Sequence, residues 1–453
     1  MAFRPKISRR AVLAVAGAGV AIGGGWVAVG SARRNTVEGA VLPWFKANTR
    51  SFDPARPDSL WTPAMAAQLA GARIVGLGEA THGSHEDIMA KAALVKGLVV
   101  SGQVTALYLE VNAPGGRELD AFIAGAAGDP VARLRTAKVF KVTKSRPLAD
   151  LLGWLRDWNR TAALPVRIFG IDCQATAQDA ASALEAFKAL DPAAAAPLAA
   201  RLSPIVSAKA QALRFPVLIK SLTTAQLKDA MTALEALSAA LKARPGAADA
   251  QYAARTAWQG LKAFELETAD GKMTGDLAEY FSRRDRFMAE NILKAPISGG
   301  GGVFWGHNMH VAGGEPSGSN FLPTGGALRQ ALGDGYRCVV FEYGEARFNA
   351  VPALPLAPSP SAADPNKVIH WSGKGGRLAG LLSKARTGSH WVPVRDLPDD
   401  KAGQDWRNLT YRLAWPGYAA VPSTALVLDA DYPCGRMFDI IVYLEQLTPS
   451  RPL

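Results

Sequence analysis

The chain has only three cysteines in 453 residues, Cys173, Cys338 and Cys434, and none stands at metal-ligand spacing from another. That excludes a zinc ribbon or a dense disulfide scaffold and leaves either one bridge or three free thiols. The Gly-x-Ser-x-Gly elbow of serine α/β-hydrolases is absent, and Ser317 and Ser372 lie in glycine-rich stretches without that frame. Neither His-Glu-x-x-His nor His-x-x-Glu-His occurs. There is no internal repeat, no apolar run beyond residue 32 long enough to span a bilayer, and no Lys/Arg stripe interleaved with aromatics. The net charge of +12 does not reopen a nucleic-acid role: six basic residues precede residue 35 with no acid, so the remainder carries 45 basic against 39 acidic residues, a net of +6.

Those six basic residues frame a leader. Ile7-Ser8-Arg9-Arg10 directly precedes an apolar, Gly/Ala-rich run from Ala11 to Ala32, the pattern of a twin-arginine export signal over residues 1–34. Export to the periplasm is expected, and Gly30-Ser31-Ala32 would serve as a cleavage site. The alternative is an inner-membrane anchor facing the periplasm, because the run is long enough to span and ends at Arg33-Arg34. Uncleaved, that segment would be the chain's contact with the membrane.

Residues 35–453 are long enough for one large α/β domain. Short apolar runs at Arg73–Gly78, Val104–Leu109, Pro165–Ile171 and Gly302–Gly306 alternate with helical patterns after Ser84 (with Asp87 as a capping box), at Arg117–Gly125 and at Leu148–Asn159. The alternation predicts a largely parallel sheet flanked by helices. Between about 176 and 295, Ala, Leu, Lys and Glu dominate, broken by prolines at 192, 197, 204, 216 and 245, which predicts an inserted helical subdomain. A helix at Gly325–Leu332 and strands at Tyr336–Tyr343, Trp391–Val394 and Phe438–Leu444 follow, with a proline-rich surface loop at Pro352–Pro365.

The four principal strands end at Glu79, Glu110, Asp172 and His307, and a parallel sheet gathers such ends along one crevice. Four of the six histidines fall in two clusters, Gly78-Glu79-Ala80-Thr81-His82-Gly83-Ser84-His85-Glu86 and Trp305-Gly306-His307-Asn308-Met309-His310. Histidines flanked by acids suit proton transfer near neutral pH. His82, in a glycine-flanked turn with Glu79 three residues before it, is the candidate general base. His307 and His310 are candidates for protonating a leaving alkoxide and stabilising an oxyanion, in either order. His85 could equally be a helix-start residue. Lys91 and Glu86, five apart on one helix, are poorly spaced to pair and are expected as separate solvated charges. Cys173 beside Asp172 has no neighbour in sequence to lower its pKa, and His370 and His390 are isolated and expected to be structural.

Metal binding is the rival, because His82, His85, Glu86, His307 and His310 include the ligand types of a hydrolytic zinc or manganese site, although their spacing matches no zinc-hydrolase motif. A third possibility is a non-catalytic protein that binds a metal, haem or small ligand at the same histidines.

Taken together, Gly78-Glu79-Ala80-Thr81-His82-Gly83 with Glu86, Lys91 and Glu110 closely resembles the erythromycin esterase family. Trp154–Asn159, Phe169-Gly170-Ile171-Asp172, Arg284–Asn291, Trp305–His310 and Phe438-Asp439 resemble its later blocks in order, so the likeness runs from about Val41 onward. The resemblance implies one catalytic α/β domain with a helical insertion, hydrolysing a carboxylic ester or macrolactone; family members are described both as metal-independent and as metal-assisted, so no cofactor is expected and zinc or manganese stays the alternative. It implies His82 as the base that activates water, Glu79, His307 and His310 beside it, and Glu86 and Glu110 as further acids of the cleft, with Lys91, His85 and Asp172 in support. The small-molecule partner is therefore an ester or lactone. Macrolide-hydrolysing members are antibiotic-resistance enzymes, commonly cytoplasmic; an export signal here points to another ester, lactone or acylated carbohydrate.

Overall fold

The structure, a computed structural model, describes residues 32–453 apart from 140–142, 208–209, 211–217, 219–220, 265–276, 298, 353–366, 373–377, 414, 416–418 and 421–429. The export-signal segment, up to residue 31, and the proline-rich stretch after residue 352 lie outside the described residues. Among the described residues no helix is long and apolar enough to cross a membrane.

Twelve strands are described: β1 (Arg50–Ser51), β2 (Ile74–Leu77), β3 (Val104–Asn112), β4 (Arg167–Asp172), β5 (Gly301–Trp305), β6 (Tyr336–Pro352), β7 (Lys367–Ser372), β8 (His390–Val392), β9 (Tyr411–Leu413), β10 (Ala419–Ala420), β11 (Ala430–Tyr432) and β12 (Ile440–Leu447). The order β12-β6-β2-β5-β3-β4 is parallel throughout, with β8 and β1 adding an antiparallel edge beyond β12. This is the α/β architecture expected. The middle strands are short and wholly apolar because helices cover both faces: every residue of β2 and β5 is buried. β6 runs past the expected end at Tyr343. From Glu345 to Asn349 it alternates between inward Ala346 and Phe348 and more polar neighbours, and this half pairs with β7 and β10.

Helices Thr176–Leu190, Pro192–Val206, Thr224–Lys242 and Ala248–Phe264 pack on one another around Leu184, Phe187, Leu202, Leu234, Leu237 and Leu261. Alanines at 180, 183, 254 and 257 are buried among them and let the helices approach closely. Pro192 opens its helix at the first turn, where no N–H partner is lost, while Pro197 and Pro204 are accommodated inside the same helix. Helix Leu277–Leu293 joins the two layers: Tyr280 belongs to the helical cluster, whereas Met288, Ala289 and Ile292 pack into the sheet's core. Its second turn passes over the carboxyl ends of the strands. All three cysteines are buried free thiols.

Candidate active site

Parallel register brings the two histidine clusters together. Leu77, the last residue of β2, pairs with Trp305, the last of β5, so the segments 78–85 and 306–310 leave the sheet side by side. Leu109 of β3 pairs with the same Trp305, which places Glu110 just beyond it, and β4 delivers Asp172 on the outer side. The segments are then stitched by backbone: Asn308 N–H donates to the Glu79 carbonyl at 2.9 Å, and His307 N–H to Glu110 Oε2 at 3.0 Å. Gly78 is required for the close approach, because a Cβ there would lie 2.0 Å from the Asn308 side-chain oxygen.

His82 Nδ1 lies 2.5 Å from Glu79 Oε1, and the other carboxylate oxygen accepts from Lys91 Nζ at 2.6 Å. With Nδ1 carrying the proton toward Glu79, Nε2 keeps its lone pair, and among the described residues nothing bonds it. The His82 side chain is 20% exposed, against 5% for that of His310, so the free nitrogen belongs to the most open ring of the group. Lys91, expected as a solvated charge, is fully buried: its ammonium bonds Glu79 and sits 4.1 Å from the centre of the Trp305 ring. Burial pushes the Glu79 carboxyl up, but Lys91 and His82 prevail and bring it down to about 2. Burial pulls the His82 imidazole down, yet the hydrogen bond and charge of Glu79, with Glu110, hold it above its ordinary value.

A second histidine–carboxylate pair lies deeper. His310 Nδ1 is 2.8 Å from Asp285 Oδ1, and that oxygen also accepts from the Thr324 N–H and hydroxyl. His310 Nε2 lies 2.9 Å from an Arg284 NH1 and 3.3 Å from Glu110 Oε1, so the neutral ring accepts from the guanidinium and the protonated ring donates to the carboxylate. Burial opposes the charge, but Asp285 and then Glu110 raise the imidazole above its usual value. Arg284 forks onto Asp172 through Nε and NH2, at 2.8 and 2.9 Å, and reaches Glu110 at 2.9 Å. Neither Arg284 nor Asp285 stands out in the sequence as a site residue, since Arg283-Arg284-Asp285-Arg286 looks like a solvated helix face; the signal available was their place in the Arg284–Asn291 block.

Between the pairs sits His307, its ring centre 5.2 Å from that of His82 and 6.5 Å from that of His310. Its Nδ1 accepts from the Met309 N–H, which leaves Nε2 as the donor toward the Ala80 carbonyl at 3.3 Å. Burial, with His82 and His310 adding repulsion, lowers its pKa to about 3, so this ring stays neutral.

Two expected members are elsewhere. Glu86 accepts the Thr448 N–H at 2.7 Å and its hydroxyl at 2.5 Å, and His85 is the residue preceding helix Glu86–Val100, its N–H on the Thr448 carbonyl. The helix begins there and not at Ser84, whose hydroxyl instead binds the Thr81 carbonyl and Asp87. His82, His85, Glu86, His307 and His310 thus do not converge on one point, and among the described residues no group of three or more His, Cys, Asp or Glu is arranged to hold a metal ion. His370 is exposed near Glu345, and His390 is buried with Nδ1 on the Gly388 carbonyl. Cys173 is buried, and burial followed by the charge of Asp172 raises its thiol well above the usual range, the opposite of an activated nucleophile.

A family model described as erythromycin esterase matches residues 100–447, a span holding Glu110, Asp172, Arg284, Asp285, His307 and His310 but starting after Glu79, His82 and Lys91. Three solved structures share the fold. One is a Bacillus cereus protein, 21% identical with a TM-score of 0.72, covering 92% of this chain and 99% of its own. Another is described as a succinoglycan biosynthesis protein, 18% identical with a TM-score of 0.73 and the same coverage. The third is a mutant of the erythromycin esterase EreC in its open conformation, 18% identical with a TM-score of 0.61, covering 89% and 98%. No curated protein matches the chain.

Proposed function

The chain belongs to the erythromycin esterase family, and we propose that it hydrolyses a small-molecule carboxylic ester or lactone with water activated at His82. The observation that carries this is the free Nε2 on an imidazole whose other nitrogen is fixed by a buried, Lys91-paired Glu79. Water attacks the carbonyl carbon as its proton passes to Nε2 of His82, and Glu79 stabilises the imidazolium. The carbonyl oxygen takes the charge of the tetrahedral intermediate. His307, held neutral with its one proton on Nε2, serves that oxygen by turning this N–H away from the Ala80 carbonyl as the charge develops. On collapse the carbon–oxygen bond to the alcohol breaks, and the departing alkoxide takes a proton from His310, whose neutral and protonated forms each have a partner. The proton on His82 then restores His310 through solvent, leaving carboxylic acid and alcohol. Glu110 ties the two halves of the site, and Asp172 acts by holding Arg284.

Ile7-Ser8-Arg9-Arg10 supports a proposal that this chemistry takes place in the periplasm after twin-arginine export; replacing both arginines with lysine should retain the protein in the cytoplasm. The test of function is turnover of an ester and lactone panel by the exported protein and by its His82→Ala variant, each with and without chelator. Hydrolysis lost in the folded variant and unchanged by chelation is the expected result. Unchanged turnover in the variant overturns the role of His82. Stoichiometric zinc or manganese, with activity lost on chelation, replaces it with a metallohydrolase.

A further inference from the structure

The residues after β12 turn back along the segment that carries His82. The Thr448 carbonyl accepts the His85 N–H at 2.9 Å, Pro449 bridges Ser84, and the Ser450 N–H donates to the Gly83 carbonyl at 2.9 Å. The same Gly83 carbonyl takes the Asn349 N–H of β6 at 3.1 Å, while the Asn349 amide bonds the Ser450 carbonyl at 2.7 Å. Beyond this the chain is pinned to a second element: Arg146 N–H donates to the Arg451 carbonyl, Pro452 bridges Ser145, and Leu453 N–H reaches the Lys144 carbonyl. Glu86 clamps the start of this run through both oxygens. Gly83 admits no side chain, because a Cβ would lie 1.8 Å from the Asn349 carbonyl oxygen.

The loop 78–85 is held differently at its two ends. Before His82, the bonds come from β6 and from the segment that follows β5: Gly78 N–H to Val339, Asn308 N–H to Glu79, His307 to Ala80. After His82, the Gly83 carbonyl takes the Asn349 and Ser450 N–H groups and the His85 N–H donates to Thr448, while the His85 carbonyl takes the Met89 N–H of the helix that follows. An imidazole needs both flanks fixed to keep its free nitrogen within a few tenths of an ångström of the attacking water, and a misplacement of about 1 Å costs roughly 100-fold in rate.

We propose that segment 448–452 is a positioning strap for His82 and that Glu86, through Thr448, is the residue that latches it. This rests on His82 being the base. It gives Glu86 a role distinct from that of a cleft acid: it acts on where the imidazole sits and not on its charge. Glu86 and the Thr448 hydroxyl are partly exposed, so substitutions there leave the core intact.

The experiment compares Glu86→Ala, Glu86→Gln and Thr448→Val in the full chain by steady-state kinetics across pH and by amide hydrogen exchange. Glu86→Ala should lower kcat by about 10- to 100-fold, with KM changed less than about 3-fold and the acid limb of the pH profile unmoved. Glu86→Gln, which keeps an acceptor for Thr448, should recover most of that loss, and Thr448→Val should lose less than Glu86→Ala. Exchange of the amides at 83–86 should quicken in Glu86→Ala. If kcat stays within about twofold of wild type, or if the acid limb shifts as an electrostatic role in the cleft would require, the latch is wrong. If exchange quickens while His82→Ala retains turnover, the strap exists and the assignment of His82 is what fails. Unchanged exchange overturns the strap whatever the kinetics.

Discussion

Arg284 grips Asp172 with two parallel hydrogen bonds, and the same guanidinium touches Glu110 and His310. Asp172 is fully buried and the Arg284 side chain only 3% exposed, so the carboxylate depends on this cation for its charge to be tolerated. One rigid fork thus joins the ends of β3 and β4 to the 306–310 segment, a task that needs planar, multiple donors.

Arg284→Lys is therefore not a conservative change. A single ammonium cannot serve Asp172 twice while also reaching Glu110 and His310. The variant is expected to lose at least about 100-fold in kcat, and Arg284→Met, which leaves Asp172 buried without a cation, to lose about 3–5 kcal/mol of stability. Urea denaturation beside ester turnover checks both; a Lys variant with near wild-type kcat would remove Arg284 from the positioning of His310.

The pH profile follows from the direction of the His82 shift. A base must be unprotonated to act, and Glu79 raises the imidazole, so kcat/KM should climb with pH along a limb lying above the ordinary histidine value of 6.5. His310 must be protonated to act as the acid, which gives a fall at higher pH. In Glu79→Gln the stabilising charge is gone while burial remains, so the acid limb should move to lower pH as kcat drops. A limb that stays in place would show that another group sets it.

Much of this constellation was legible in the sequence, and the part that was not has a physical cause. Glu79, Glu110, Asp172 and His307 follow apolar strands, and parallel pairing places strand ends on one edge whatever the helices do. Lys91, Arg284 and Asp285 come from helices, where periodicity gives a face but not a depth. Helix Glu86–Val100 is buried from Asp87 to Val99 almost all round, so no polar stripe marks Lys91 as facing inward, and its partner Glu79 lies outside the helix. Glu86 shows the reverse: it sits among cleft residues in sequence, yet Thr448, 362 positions away, claims both of its oxygens. Pairings of that range leave no trace in local pattern.

Lys91 can be tested through the linkage of Glu79 to stability. The Glu79 carboxyl titrates near 2 in the fold against 4.5 ordinarily, so its contribution is complete above about 4.5 and disappears as pH falls toward 2. Lys91→Met removes the cation and leaves burial to raise the acid. Stability at neutral pH should fall by about 3–5 kcal/mol, and its dependence on pH between 4.5 and 2 should flatten. Equal unfolding curves for the variant and wild type at pH 7 would contradict the pairing.

Asp179 offers a prediction of opposite sign, at the seam between the helical layer and the end of β3. It is fully buried, with Asn112 Nδ2 at 3.1 Å from one oxygen and the Thr256 hydroxyl 2.7 Å from the other. Burial, helped by the nearby charge of Asp172, outweighs both bonds and pushes the acid up to about 8. A proton is accommodated because Thr256 Oγ1 is also 3.1 Å from the Ala253 carbonyl: the hydroxyl donates there and accepts from the acid. The folded state then holds a proton that the unfolded chain releases above about 3.8, so stability falls as pH rises from 3.8 to 8. An amide reproduces the protonated acid, with Oδ1 toward Asn112 and the NH2 toward Thr256. Asp179→Asn should match wild type at pH 4 and exceed it at pH 8, read from urea midpoints at the two values. A variant less stable than wild type at pH 8 would mean that Asp179 is held as a carboxylate.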